Sequence, residues 1–369
     1  MLAAAGVLGL AASFSLNRHL TGSAASQVWS PFVLVAGLLL VGLVAEGDGL
    51  FRTAGSHIAR LAPNGVALFV GASVLVALVT AVLNLDTSVV FLTPVLAHAA
   101  RSRGDDERPL LYGCLLLSNA GSLLLPGSNL TNLIVAGHLH VSGATFFSRM
   151  APAWVVAVVV TAIVVGIGER RTLRTAGTGD RSRRPPATYG LGLVAVTVVT
   201  ILVVALRAPA GPVASVGMLV VGIRLARRRE SHHRVAEVLG LPVLVGLFGV
   251  AVALGTLGRS WSGPATLLSH LDAWATAATA AAASVLFNNL PAASLLASRV
   301  PPRPYALLVG LDIGPNLFVT GSLAWILWLR AARSAGARPS VARASLLGVL
   351  SVPLSMAAAV GMLVLTGSH

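Results

Sequence analysis

Two carboxylates and a set of amides and hydroxyls stand inside otherwise apolar sequence, where side chains of these types can move a proton or bind a polar solute. Asp86 belongs to Asn84-Leu85-Asp86-Thr87-Ser88, which joins apolar runs at 63–83 and 87–100. Asp312 belongs to LDIGPNLFVTGS, residues 311–322. A charge at membrane depth is costly and by default marks an ion or proton pathway. A carboxyl screened from water is suited to take up and release a proton, so Asp86 and Asp312 are the proton-coupling candidates. Both also stand where a helix can begin, and Asp is favoured there as a cap. The two roles are compatible.

The longest polar interruption is residues 117–132, LSNAGSLLLPGSNLTN, with three Ser, three Asn, one Thr, two Gly and one Pro in 16 positions. The substrate-binding candidates drawn from it and from the other breaks are Asn84, Thr87, Ser118, Asn119, Ser128, Asn129, Asn288, Asn289, Asn316, Thr320 and Ser322. Ser88, Ser122 and Asn132 belong to the same polar set. Asn offers a donor and an acceptor in one side chain, and Asn119, Asn129, Asn288 and Asn316 are the favoured contacts. The competing role is structural: such residues cap half-helices and hold neighbouring helices together. Gly121, Gly127, Gly314 and Gly321 allow close backbone approach and unusual dihedrals around the same breaks. Cys114 precedes the first break by about one turn and reads as a small packing residue. His98 and His138 lie near membrane ends, where a proton relay competes with a plain interfacial role.

The elements that position these residues belong to a membrane protein. Of 369 residues 56% are hydrophobic and only 10% charged, with a mean hydropathy of +0.85; a soluble domain carries roughly 25% charged residues. The net charge of +14 comes from 26 basic residues, every one Arg. They lie in short loops, which fits the positive-inside rule rather than nucleic-acid binding. One cysteine excludes a disulfide framework or a Cys-cluster metal site, and neither a cofactor nor a metal is expected. The apolar run at 2–16 reads as a short first span rather than a cleaved signal.

Runs 63–83 and 87–100 meet without a loop long enough to leave the membrane, as do 265–286 and 291–298 at Phe287-Asn288-Asn289-Leu290-Pro291. Each pair is expected to form a re-entrant helical hairpin with a polar tip. The runs at 110–140 and 304–329 are expected to be broken spans, since a full crossing needs roughly 20 apolar residues. Unwound backbone at that depth must line a cavity or be buried in protein. With this topology the loops 46–62, 101–109, 169–188, 227–239 and 330–343 share one face. That face, with Arg224 at its rim, collects 20 of the 26 Arg, leaving Arg18, Arg149, Arg207, Arg259, Arg299 and Arg303. The bias places the N-terminus in the cytoplasm and the C-terminus outside.

The order of tip and break recurs. Asn119-Ala120-Gly121 matches Asp312-Ile313-Gly314, and Gly127-Ser128 matches Gly321-Ser322 with one residue of gap. The expected fold is an all-α polytopic membrane protein of about eleven elements, with two inverted repeats, each holding a re-entrant hairpin and a broken transmembrane helix. Residues 1–62 supply N-terminal scaffold helices, and 63–168 the first repeat (hairpin 63–100, broken helix 110–140, helix 151–168). An Arg-rich cytoplasmic loop at 169–188 leads to scaffold helices and a second Arg-rich loop at 189–239. The second repeat spans 240–369 (hairpin 265–298, broken helix 304–329, final helix 343–366). Transporters of this plan bind substrate at the repeat interface near the midplane.

Four motifs, LNLDTSVVFLTP at 83–94, residues 117–132, NNLPA at 288–292 and LDIGPNLFVTGSL at 311–323, carry a resemblance to the ion-transporter superfamily. That superfamily holds arsenite permeases, sodium/dicarboxylate symporters and sodium/proton antiporters, and the likeness is strongest to ArsB-type arsenical pump membrane proteins. The resemblance implies export of arsenite or antimonite from a bacterial plasma membrane, driven by protons or by a cytoplasmic ATPase subunit. It also implies a homodimeric scaffold. Near neutral pH arsenite is an uncharged trihydroxide, which the amide and hydroxyl set suits. Dicarboxylate symporters carry Ser-Asn-Thr at both tips, whereas these tips read Asn-Leu-Asp-Thr and Asn-Asn-Leu-Pro, which argues against that branch. The alternative is a sodium- or proton-coupled carrier of another small solute, an organic anion or a Na+/H+ exchanger; a pore or an assembly scaffold is a further class. The chain has no G-x-x-x-x-G-K-[ST] motif with which to hydrolyse ATP, and no nucleophile–base spacing points to an enzyme.

Overall fold

The structure is a computed structural model that describes residues 2–139, 141–174 and 190–368. Positions 175–188 of the expected Arg-rich loop lie outside the described residues, as do the two terminal residues and position 140. The described residues form helices throughout, with no strand.

The first half opens with α1 (Leu2–Leu16), α2 (Arg18–Gly47) and α3 (Leu50–Leu61). Helices α4 (Gly65–Val82) and α5 (Leu85–Ser102) follow, then α6 (Arg108–Gly121), α7 (Leu130–Ala136), α8 (Gly143–Gly168) and the single turn α9 (Arg170–Leu173). The second half has α10 (Leu191–Ala205), α11 (Ala210–Ala226), α12 (His232–Leu239), α13 (Leu241–Ser260), α14 (Gly263–His270), α15 (Ala273–Phe287) and α16 (Asn289–Leu296). It ends with α17 (Pro304–Ile313), α18 (Leu323–Ser334) and α19 (Val341–Leu365). Short 3-10 turns occupy the breaks at Pro126–Ser128 and Gly314–Asn316. Five segments are long and apolar enough to cross a membrane: α2, α4, α8, α12 with α13, and α19.

Two boundaries differ from the apolar runs. Helix α2 begins at Arg18, well ahead of its apolar stretch, because Asn17 caps it by accepting from Leu20 N at 3.0 Å. Its early polar side chains find partners too: Thr21 Oγ1 donates to Ser13 O at 2.8 Å. The run at 265–286 is two helices, since Asp272 starts α15 by accepting from Ala275 N at 2.8 Å.

Small residues bring the scaffold helices together, the usual device where lipid removes the hydrophobic drive between helices. A Cβ on Gly6 would lie 2.2 Å from Gly246 O, where α1 crosses α13, and one on Gly217 would lie 2.6 Å from Gly37 O, where α11 crosses α2. At the ends of α2 and α11, buried Arg224 pairs with Asp48, whose other oxygen accepts from Gly192 N at 2.6 Å.

The halves share one contact plan. In each, the first hairpin helix packs on the first arm of its own broken helix: α4 on α6, α15 on α17. The second hairpin helix meets the second arm of the other half: α5 with α18, α16 with α7. The two breaks therefore face each other.

Candidate functional site

At the facing breaks five side chains join the halves. Asn119, in the last turn of α6, donates from Nδ2 to Asn316 Oδ1 at 2.8 Å. Asn316 in turn donates to Leu116 O at 2.9 Å. Asp312, in the last turn of α17, accepts on Oδ1 from Asn129 Nδ2 at 3.0 Å and from Thr131 Oγ1 at 2.5 Å. All five residues are buried. Each helix thus ends against the unwound segment of its counterpart, and the pairs hold the two breaks in register.

The breaks leave backbone carbonyls that a continuous helix would have satisfied. Two indoles take them: Trp154 Nε1 donates to Gly121 O at 3.0 Å and Trp325 Nε1 to Pro315 O at 2.9 Å. Asn132 Nδ2 donates to Ser122 O at 2.6 Å and Leu125 O at 3.0 Å, closing the first break on itself. The glycines act through space: a Cβ on Gly314 would lie 2.6 Å from Ala281 Cα, and one on Gly321 2.5 Å from Pro315 Cα. None of Gly121, Gly127, Gly314 and Gly321 has a positive φ, so the unusual dihedrals expected there do not occur.

Among the described residues, four buried polar atoms around the breaks have no protein partner: Asp312 Oδ2, Asn119 Oδ1, Asn132 Oδ1 and Ser322 Oγ. Folded proteins satisfy most buried polar atoms, so these lone pairs and this hydroxyl are available to a polar guest. No basic side chain hydrogen bonds across the junction among the described residues.

The remaining candidates divide between the hairpin tips. At the first tip Asn84 caps α5, accepting from Thr87 N at 2.7 Å, while Asn84 Nδ2 and Thr87 Oγ1 have no partner among the described residues. Ser88 Oγ meets Ser118 Oγ at 3.4 Å, tying the tip to α6, and Ser118 also donates to Cys114 O at 2.6 Å. Asp86 is half-buried and has no hydrogen-bond partner among the described residues. At the second tip Asn288 has φ 74°, a left-handed backbone that costs a non-glycine residue energy. It donates from Nδ2 to Thr320 O at 3.3 Å, beside the bond from Asn289 N to Gly321 O at 2.8 Å.

One contact recurs in both halves. Ser128 Oγ donates to Ala81 O and Thr320 Oγ1 to Val285 O, each at 2.8 Å. Ala81 precedes Asn84 by three residues and Val285 precedes Asn288 by three. Each break thus closes the last turn of its own hairpin. Thr131, Trp154 and Trp325 were missing from the sequence-derived set; only Thr131, inside 117–132, had a local signal.

A cavity of about 1020 Å³ opens among α3, α5, α12 and α18, with Arg52, Arg60, His98 and Arg330 in its wall. Helix α5 contributes Val90, Pro94 and His98, which repeat at four-residue spacing. Phe91, also in the wall, stacks on Phe51 with centroids 5.7 Å apart.

A family profile described as citrate transporter, CitMHS, matches residues 1–318. The chain is 24% identical over 335 residues to the arsenical pump membrane protein of Escherichia coli, covering 82% of this chain and 78% of that one. The arsenical pump membrane protein of Yersinia enterocolitica is also 24% identical, over 336 residues, covering 82% of this chain and 78% of that one. A silicon efflux transporter of Oryza sativa subsp. japonica is 29% identical over 120 residues, 32% of this chain and 25% of that one. Among solved structures, the Alcanivorax borkumensis YdaH transporter superposes with a TM-score of 0.59 at 16% identity, covering 95% of this chain and 88% of that one.

Proposed function

Since the chain belongs to the CitMHS citrate-transporter family, we propose that it exports arsenite and antimonite in exchange for protons. It is a membrane transporter of the ArsB/CitMHS type, and its family and relatives indicate transport rather than catalysis. The finer reading rests on one observation: the junction of the breaks offers amides, hydroxyls and one carboxylate, without a basic side chain among its hydrogen bonds. An anion such as citrate calls for a counter-charge, whereas an uncharged hydroxide of arsenic calls for alternating donors and acceptors. Asn119 Oδ1, Asn132 Oδ1 and Asp312 Oδ2 would accept from its hydroxyls, and Asn84 Nδ2 and Ser322 Oγ are free to donate.

The mechanism is alternating access. Asp312 holds both breaks together while substrate is bound, and protonation weakens its hold on Asn129 and Thr131 because a neutral acid is the poorer acceptor. Asp86 stands in the first turn of α5, whose later turns line the cavity, which supports release of the proton through it toward the cytoplasm. On this reading α4 with α5 and α15 with α16 are re-entrant hairpins; α15, at 15 residues, and α16, at eight, are each too short to span a membrane. A homodimer and a bacterial inner-membrane location, N-terminus in the cytoplasm, complete the proposal, and the arginine-rich face is where an ATPase subunit would dock.

A second reading has its own observation. Arg52 and Arg330 of the cavity wall make no side-chain bond among the described residues, as suits a carrier of an organic anion. Uptake into everted vesicles separates the two. Arsenite should enter under an inside-acid gradient and stop when a protonophore collapses it, while citrate should not enter. Citrate uptake alone would favour the anion carrier. No arsenite uptake despite good protein and an intact gradient would overturn autonomous proton exchange.

A further inference from the structure

The ends of α6, α8 and α19 enclose a second cavity, of about 810 Å³, whose α6 residues Arg108 and Tyr112 lie in the turns that precede the first break. Arg108, Arg170, Arg171, Arg338 and Arg343 line it, with Glu169. Arg343 pairs with Glu169 at 2.7 Å and Arg108 with Asp106 at 2.5 Å. Five arginines less two acids leave three positive charges. Arg170, Arg171 and Arg338 supply them, since none has a side-chain partner among the described residues. The cleft is fixed where it meets the protein: Tyr112 Oη accepts from Ser340 N at 3.2 Å, and Arg343 also donates to Gly168 O at 2.5 Å.

What lies beside the cleft identifies its occupant. Helix α8 exposes Val155, Val159, Ile163 and Ile167 at four-residue spacing, and Ile167 is itself in the cleft wall. Helix α19 exposes Leu346, Leu350 and Leu354 in the same rhythm, beginning three residues after Arg343. The two helices pack together in antiparallel fashion, so both apolar stripes run away from one cationic mouth. A soluble anion has no use for the stripes, and a neutral lipid has none for the charges. Arginine's planar fork suits a phosphate diester in particular.

We propose that this cleft binds the headgroup phosphate of an acidic phospholipid, with its acyl chains along the exposed faces of α8 and α19. Basic pockets at the ends of transmembrane helices act in this way, and each arginine near the surface contributes about 1 kcal/mol. Because α19 also packs on the second break, through Gly348 against Asn316, the lipid is bound to a helix that touches the transport site. The proposal does not depend on which solute is carried.

The test uses the full chain, purified in mild detergent and moved into nanodiscs of phosphatidylglycerol or phosphatidylcholine, with retained lipid counted by native mass spectrometry. Phosphatidylglycerol should stay bound and raise the unfolding midpoint, and phosphatidylcholine should do neither. The triple variant R170Q/R171Q/R338Q should bind phosphatidylglycerol on the order of a hundredfold more weakly, the sum of three such contributions. The variant R227Q/R228Q/R229Q removes the same charge from another exposed loop and should bind normally. Equal loss in both variants would reduce the effect to surface charge and overturn the site. So would inorganic phosphate at tens of millimolar if it displaced the lipid and gave the same stabilisation, since the cleft would then belong to a soluble anion. Should the triple variant not fold, R338Q alone carries the comparison and should weaken binding about fivefold.

Discussion

Asp86, at the first tip, and Asp312, at the second break, bear the same charge, yet their surroundings differ. Asp312 accepts from Asn129 and Thr131 and binds the two halves to each other; Asp86 has no such partner and stands in the first turn of α5, one turn before Val90 in the cavity wall. Asp312→Asn keeps an oxygen that accepts both bonds, so the junction should assemble while proton exchange is lost. Proton-coupled arsenite flux should then fall to background, with unfolding shifted by no more than about 1 kcal/mol, the net worth of one hydrogen bond. Asp86→Asn should likewise abolish coupling. Normal flux in both variants would reduce the two acids to structural roles; neither is a helix cap, since Asn84 caps α5 and Asp312 lies in the last turn of α17. At this scale the sequence revealed its polar residues well: Asn119, Asn129, Asp312 and Asn316 stand out against apolar neighbours. The pairing did not show, because Asn119 and Asn316 are 197 positions apart. Trp154 and Trp325 did not show either, since an indole in a membrane helix looks like packing until the carbonyl it serves is located.

Between elements, the decisive contacts are those that close the hairpins. Ser128 and Thr320 do the same task in opposite halves, but Ser128 is buried and Thr320 exposed. Removing each hydroxyl should therefore cost differently. Ser128→Ala strands the Ala81 carbonyl away from water and should destabilise by about 1–3 kcal/mol, whereas Thr320→Val leaves Val285 O where water can replace the donor and should cost less than about 1 kcal/mol. Thermal unfolding in detergent reads both, and equal losses would mean that the second tip is as sealed as the first. The repeat was only faintly legible in the chain, because two short matches with a one-residue gap are all that survives in the letters. The shared contact plan, with α5 against α18 and α16 against α7, depends on three-dimensional register that no local pattern encodes. Helix limits were misjudged where capping prevailed over hydropathy: Asn17 and Asp272 start helices inside stretches that apolar counting had divided otherwise.

At the scale of the whole molecule, arginines mark one end. Segments at 46–62, 101–109, 227–239 and 330–343 are far apart in sequence, yet each contributes to the wall of the larger cavity. Helix α13 starts beside this end and, with 20 residues, runs about 30 Å before Ser260. Ser260 must therefore lie at the opposite end, close to Arg259 and Arg299, which hydrogen bond to each other there. Under the proposed orientation, which follows the positive-inside rule, the cavity is cytoplasmic, and single cysteines test it. Native Cys114 is buried and should stay silent. In intact cells a charged, membrane-impermeant thiol reagent should label Ser260→Cys and spare Ser102→Cys and Ser334→Cys, both of which line the cavity. In everted vesicles the pattern should reverse. The opposite result would turn the molecule over in the membrane: the cavity would face outward, Asp86 would load its proton rather than release it, and the arginine bias would need another origin.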